Sequence, residues 1–106
     1  MERFEVTTTT ADGVSTVALE GELDIATAPM LDATLADLER NGTATLLLDM
    51  ARVRFIDSTG LRSLLSARSR AEASGQKLRL ANLTVDVERV FDVTGVRRMF
   101  DISSPA

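Results

Sequence analysis

Asp57-Ser58-Thr59-Gly60-Leu61 holds the side chains of this chain best placed to do chemistry. The segment falls where an apolar run, Ala44 to Met50 and then Val53-Arg54-Phe55-Ile56, gives way to spacing that predicts an amphipathic helix. A hydroxyl at a helix start ordinarily caps it, its oxygen accepting a free backbone N–H. Here two hydroxyls stand together and are followed at once by Gly60, a poor helix former unless something must approach the backbone closely. The free N–H groups and partial positive charge of a helix N-terminus also suit a phosphate. Two readings follow: a capped helix start, or a contact surface that can be phosphorylated.

Composition removes most catalytic alternatives. The 106-residue chain contains no histidine and no cysteine, so a Ser-His-Asp arrangement and thiolate chemistry are both excluded. Activating Ser58 as a nucleophile needs a positioned base, and Lys77 is the only lysine. A receiver-type phosphoaspartate site at Asp49 or Asp57 needs a clustered acidic metal pocket and a supporting lysine, which the order of elements does not supply. The expectation is a non-enzyme with no catalytic residue, no cofactor and no metal. A net charge of −4 without a basic cluster argues against nucleic acid and anionic membrane as partners. Met1-Glu2-Arg3-Phe4 lacks the apolar run of a signal peptide and no stretch is long enough to span a bilayer, so the expected compartment is the cytoplasm.

The elements that must position the motif are legible in outline. At 44% hydrophobic residues the chain can bury a core, and its length suits one domain spanning residues 1–106. Phe4, Val6 and Thr8 alternate with polar neighbours, predicting a half-buried strand; Asp12-Gly13 marks a hairpin turn into a second strand, Val14 to Glu20, with Val17 and Leu19 on one face. After Gly21-Glu22-Leu23-Asp24 a helix is expected, capped by Thr27, with Pro29 in its first turn. Leu31, Leu35 and Leu38 form its core stripe and Asn41-Gly42 ends it. Ala44 to Leu48 reads as a central strand covered on both faces. The helix after Ser58 turns Leu61, Leu64 and Leu65 inward and Arg62, Ser66 and Arg70 outward. Beyond a turn at Ser74-Gly75-Gln76 come a strand from Lys77 to Ala81, a helix capped by Thr84 with Val87, Val90 and Phe91 on one side and closed by Thr94-Gly95, and a last strand from Arg98 to Ile102. No repeat, linker or low-complexity tract interrupts this order. It implies an α/β fold, a mixed β-sheet with helices packed mainly on one face.

With those residues in place, the chain resembles the STAS domain family, specifically its single-domain bacterial anti-sigma factor antagonists. Asp57-Ser58-Thr59-Gly60-Leu61 after a strand is similar to the family's signature. Gly21-Glu22-Leu23-Asp24, Leu48-Asp49, Val53-Phe55-Ile56-Asp57, Ala81-Asn82-Leu83, Val90-Phe91 and Thr94-Gly95-Val96 extend the likeness in order along nearly the whole chain. Arg62 departs from the small residue common at that position, and Ala106 stands where many relatives carry a further helix.

The resemblance implies a partner-switching regulator. In that family the unphosphorylated antagonist binds an anti-sigma factor that is also a serine kinase and so frees a sigma factor. The kinase phosphorylates the serine after the motif aspartate, here Ser58, and a separate serine phosphatase reverses the change. Partner-binding residues expected on this basis are Asp24, Asp57, Ser58, Thr59, Gly60, Leu61 and Arg62. Asp57 reads mainly as a capping carboxylate, Thr59 as a capping or contact group, Gly60 as a gap that lets the partner reach the serine backbone, and Leu61 as either core or interface. Arg62 is either a solvated charge or a group that pairs with an acidic residue of the partner. The alternative within the same family is a non-switching STAS subunit serving as a scaffold in a stress-signalling or transport complex.

Overall fold

A computed structural model describes residues 3–103, in which five strands alternate with three α-helices. β1 (Glu5–Ala11) and β2 (Val14–Leu23) form an antiparallel hairpin through Asp12 and Gly13, both at positive φ (53° and 79°), as the twist of a tight hairpin demands. Then follow α1 (Ala28–Arg40), β3 (Thr45–Ile56), α2 (Ser58–Ala73), β4 (Lys77–Ala81), α3 (Val85–Thr94), a single 3-10 turn (Arg97–Met99) and β5 (Asp101–Ser103).

The strands lie in chain order, β1-β2-β3-β4-β5, and every pair after the hairpin is parallel. Each helix therefore crosses from one parallel strand to the next in the same direction across the sheet. Because such crossovers are right-handed, all three helices are directed to the same face. The burial pattern agrees. Along β3, Leu46, Leu48 and Met50 are buried while Thr45, Leu47 and Asp49 are only half-covered. The expectation of a central strand covered on both faces is thus corrected: the run is continuous in hydropathy, but helices cover one face alone. The inward face of the sheet, with Val17, Leu19, Leu23, Leu48, Val53, Ile56 and Leu80, meets Leu31 and Leu35 of α1, Leu64 and Ala67 of α2, and Val87 and Phe91 of α3 in one core. Phe100 closes its lower end, its ring 5.4 Å from that of Phe91.

Other boundaries shift as well. β2 runs on to Leu23, so Gly21, Glu22 and Leu23 are strand and not a loop before the helix. The continuation depends on Gly21, which sits at φ 120° beside a register shift against β3; a Cβ there would stand 2.2 Å from the Arg3 carbonyl oxygen. The expected strand from Arg98 to Ile102 is instead a 3-10 turn followed by β5, because the chain must turn back before it can pair with β4 through Arg79↔Asp101 and Leu80↔Ile102. Arg70, expected outward, reaches across to α1 and pairs with Glu39 at 3.1 Å. No helix among the described residues is long and apolar enough to cross a membrane.

Candidate functional site

The motif lies where β2 and β3 end together. The last rung of that parallel pair is Leu23↔Ile56, and the next residue of each strand is an aspartate, Asp24 or Asp57. A further backbone bond, Asp57 N–H to Leu23 O at 3.2 Å, ties the two exits together. Two loops separated by 33 positions in sequence thus open side by side at the carboxyl edge of the sheet, above the N-termini of α1 and α2.

Asp57 is the residue that caps α2. Its backbone is extended, and its Oδ1 accepts the Gly60 N–H at 2.8 Å while its carbonyl accepts the Leu61 N–H at 2.9 Å. Of the capping readings open for this segment, the one that gave the role to Asp57 holds, and the alternative of Ser58 as a mere cap does not. Ser58 is the first helical residue, exposed, and its hydroxyl has no hydrogen bond among the described residues. Cap and hydroxyl have been separated: the aspartate holds the backbone, which leaves the serine oxygen unengaged.

Gly60 and Leu61 turn inward. A Cβ at Gly60 would meet the Leu23 carbonyl oxygen at 2.4 Å and side-chain carbons of Leu23 and Ile56 at 2.9 and 3.0 Å. α2 starts directly against the end of β2, and that contact alone requires a residue without a Cβ at position 60. Leu61 is 7% exposed and belongs to the core. Of the two alternatives open for Leu61, core or interface, its side chain takes the core position, and Gly60 lies buried where α2 meets the end of β2. Thr59 is half-buried and Arg62 is exposed.

The Asp24 loop is tied as firmly. Asp24 Oδ1 accepts from Ala26 N–H at 3.0 Å and Thr27 N–H at 3.1 Å, and its carbonyl accepts from Ala28 N–H at 2.8 Å. Thr27 stands at the cap position of α1, but its hydroxyl makes no capping bond. Instead it donates to Glu22 O at 2.6 Å and accepts from Asp24 N–H at 2.9 Å, pinning the loop to β2. Pro29 in the first turn removes one N–H that would otherwise lack a partner.

Between the two helices runs an open groove of about 300 Å³ lined by Ile25, Pro29, Asp32, Thr59, Arg62 and Arg70. Ile25, 73% exposed, stands at its mouth beside the motif and was missed by reading the sequence. The available signal was an isoleucine outside any apolar stripe, directly after the loop aspartate. The large exposed side chains Phe55 and Val85 lie on the segments that end β3 and begin α3, at the same edge. Thr84 caps α3 as expected, accepting from Val87 N–H, and also donates to Val53 O at 2.9 Å, linking the third helix start to β3. Chemically, the site offers a free hydroxyl on a rigid base with an apolar margin.

Comparison with known proteins decides the family. The model of the STAS domain matches residues 5–105. The chain belongs to the STAS domain family. Among its STAS relatives, a Bacillus subtilis (strain 168) protein named anti-sigma-B factor antagonist is 35% identical over 88 residues, covering 83% of this chain and 80% of that one. An anti-sigma factor antagonist from Mycobacterium paratuberculosis superposes with a TM-score of 0.86 at 24% identity, over 98% of this chain and 87% of the other. The antagonist SpoIIAA in its unphosphorylated form gives 0.79 at 23% identity, over 98% and 89% of the two chains. SpoIIAA of Bacillus in its phosphorylated form gives 0.74 at 21%, over 98% and 92%. These solved structures share the STAS fold, a mixed sheet with its helices on one side.

Proposed function

We propose that this STAS domain is an anti-sigma factor antagonist whose binding surface is switched off by phosphorylation of Ser58. The observation that carries the reading is the exposed Ser58 hydroxyl, left unengaged because Asp57 does the capping. The name of the Bacillus subtilis relative supports the general role. In this reading the unphosphorylated domain binds an anti-sigma factor that is also a serine kinase. That partner holds the ATP and transfers its γ-phosphoryl group to Ser58 Oγ: a new O–P bond forms, the bond to the ADP leaving group breaks, and the serine proton is released. A serine phosphatase hydrolyses the ester to restore the first state. The domain is a ligand and a substrate in the cytoplasm, not a catalyst.

The contact surface comprises Ser58 with Thr59 and Arg62 on α2 and Asp24 with Ile25 on the adjoining loop; Asp57, Gly60 and Leu61 hold that surface in shape. A phosphoserine adds roughly −1.5 to −2 charges. At a helix N-terminus this charge is tolerated within the domain, whereas in a close interface it meets desolvation and any acidic neighbour. The fold therefore survives a change that dissociates the complex.

The test uses the full chain as Ser58→Ala and Ser58→Asp baits, with captured proteins identified by mass spectrometry and the captured kinase then incubated with wild-type domain and ATP. A serine kinase retained by the alanine bait at least about tenfold more tightly than by the aspartate bait, roughly 1.4 kcal/mol, with phosphate found on Ser58, establishes the function. The same non-kinase assembly on both baits means a scaffold, and the antagonist reading falls.

A further inference from the structure

Arg62 stands out among the arginines of α2. Arg68 pairs with Glu72 on the same helix and Arg70 with Glu39 on α1, whereas Arg62 has no ion pair or hydrogen bond among the described residues. Its neighbours at the helical spacings of three and four are Thr59, Ser58, Leu65 and Ser66, none of them acidic, and α2 has no acidic residue in its first turn. Arg62 borders the groove between α1 and α2 beside Thr59, and because side chains on a helix lean toward its N-terminus, a guanidinium at position 62 is long enough to reach back over the turn that carries Ser58. Both residues are exposed, and no core packing prevents the approach.

We infer that Arg62 clamps the phosphoryl group of phospho-Ser58 within the same chain. Residues four apart lie one above the other on a helix face, and a guanidinium offers a planar pair of donors that matches two phosphate oxygens. The inference rests on Ser58 being the modified residue. It adds that phosphorylation changes the surface twice: a negative charge appears at position 58, and the positive charge of Arg62 is withdrawn from the partner. The remaining charges around the phosphate are carboxylates, Asp57 beneath it, Asp24 on the neighbouring loop and Asp32 across the groove, with Arg70 engaged by Glu39. They make Arg62 the main source of local compensation beyond the helix terminus itself.

The test places phosphoserine biosynthetically at position 58 of the full chain, without any kinase, and follows the second phosphate ionisation by 31P NMR. In Arg62→Gln that ionisation is expected about half a unit higher than in the native sequence, roughly a threefold change in acid constant, with the difference shrinking in 1 M salt. Arg62→Lys falls between them. Arg68→Gln, with the same loss of charge six residues further from the helix start, stays within about 0.1 unit of native. Equal shifts in Arg62→Gln and Arg68→Gln, or none in either, overturn the clamp. An intact shift in a domain that no kinase phosphorylates at Ser58 in cells supports the clamp and removes the proposed switch.

Discussion

Gly60→Ala tests the geometry of the site most directly, because two effects of opposite sign compete at that residue. Alanine is a better helix former than glycine by about 1 kcal/mol in a helix interior, and by less in a first turn. Against this, the added methyl group would sit 2.4 Å from the Leu23 carbonyl oxygen and 2.9 Å from the Leu23 Cγ. Neither is free to retreat. The carbonyl is bonded to Asp57 N–H at 3.2 Å, and the Leu23 side chain is completely buried. Inserting a methyl group into packed surroundings typically costs about 1–3 kcal/mol, so the net expectation is a loss of about 1–2 kcal/mol. For a domain of this size that corresponds to a Tm lower by roughly 5–10 °C. The assay is urea unfolding followed by circular dichroism, with thermal melts of both proteins in parallel. A variant as stable as wild type, or more stable, would refute the reasoning, since helix propensity would then outweigh a clash that is not there. Unchanged stability together with lost partner binding would return Gly60 to the contact surface.

Two further substitutions separate anchoring from contact in the same loops. Asp57→Ala should destabilise by about 1 kcal/mol through loss of the α2 cap, while Asp57→Asn, which keeps an accepting oxygen, should stay within about half of that; urea midpoints decide, and equal losses would place the effect in the charge and not in the bond to Gly60. Thr27→Val should destabilise by about 1–2 kcal/mol, since it leaves Glu22 O and Asp24 N–H without the hydroxyl that joins them, and Thr27→Ser should recover most of the loss. A neutral Thr27→Val would mean that water replaces the hydroxyl and that the loop is not pinned from this side.

The sequence by itself determined the kind and order of nearly every element. Leu31, Leu35 and Leu38 announce one helical face, Asp12-Gly13 a hairpin, and Asn41-Gly42, Ser74-Gly75 and Thr94-Gly95 the helix ends, because periodicity and turn chemistry are local properties of the chain. It also marked Asp57 to Leu61 as a helix start with hydroxyls to spare. Only the tertiary structure decided how those residues divide the work. Whether Asp57 or Ser58 caps α2 depends on backbone angles at the strand exit, and both residue types suit a cap. Gly60 is required by a carbonyl 37 positions earlier in the chain, and Leu61 is buried in the core. Asp24 and Ile25 stand beside Ser58 because β2 and β3 are parallel neighbours ending on one rung, a fact of strand pairing that neither segment carries alone. The bare face of the sheet has the same origin. The apolar run in β3 records how hydrophobic the strand is, while the uniform direction of three crossovers leaves its second face without helices among the described residues.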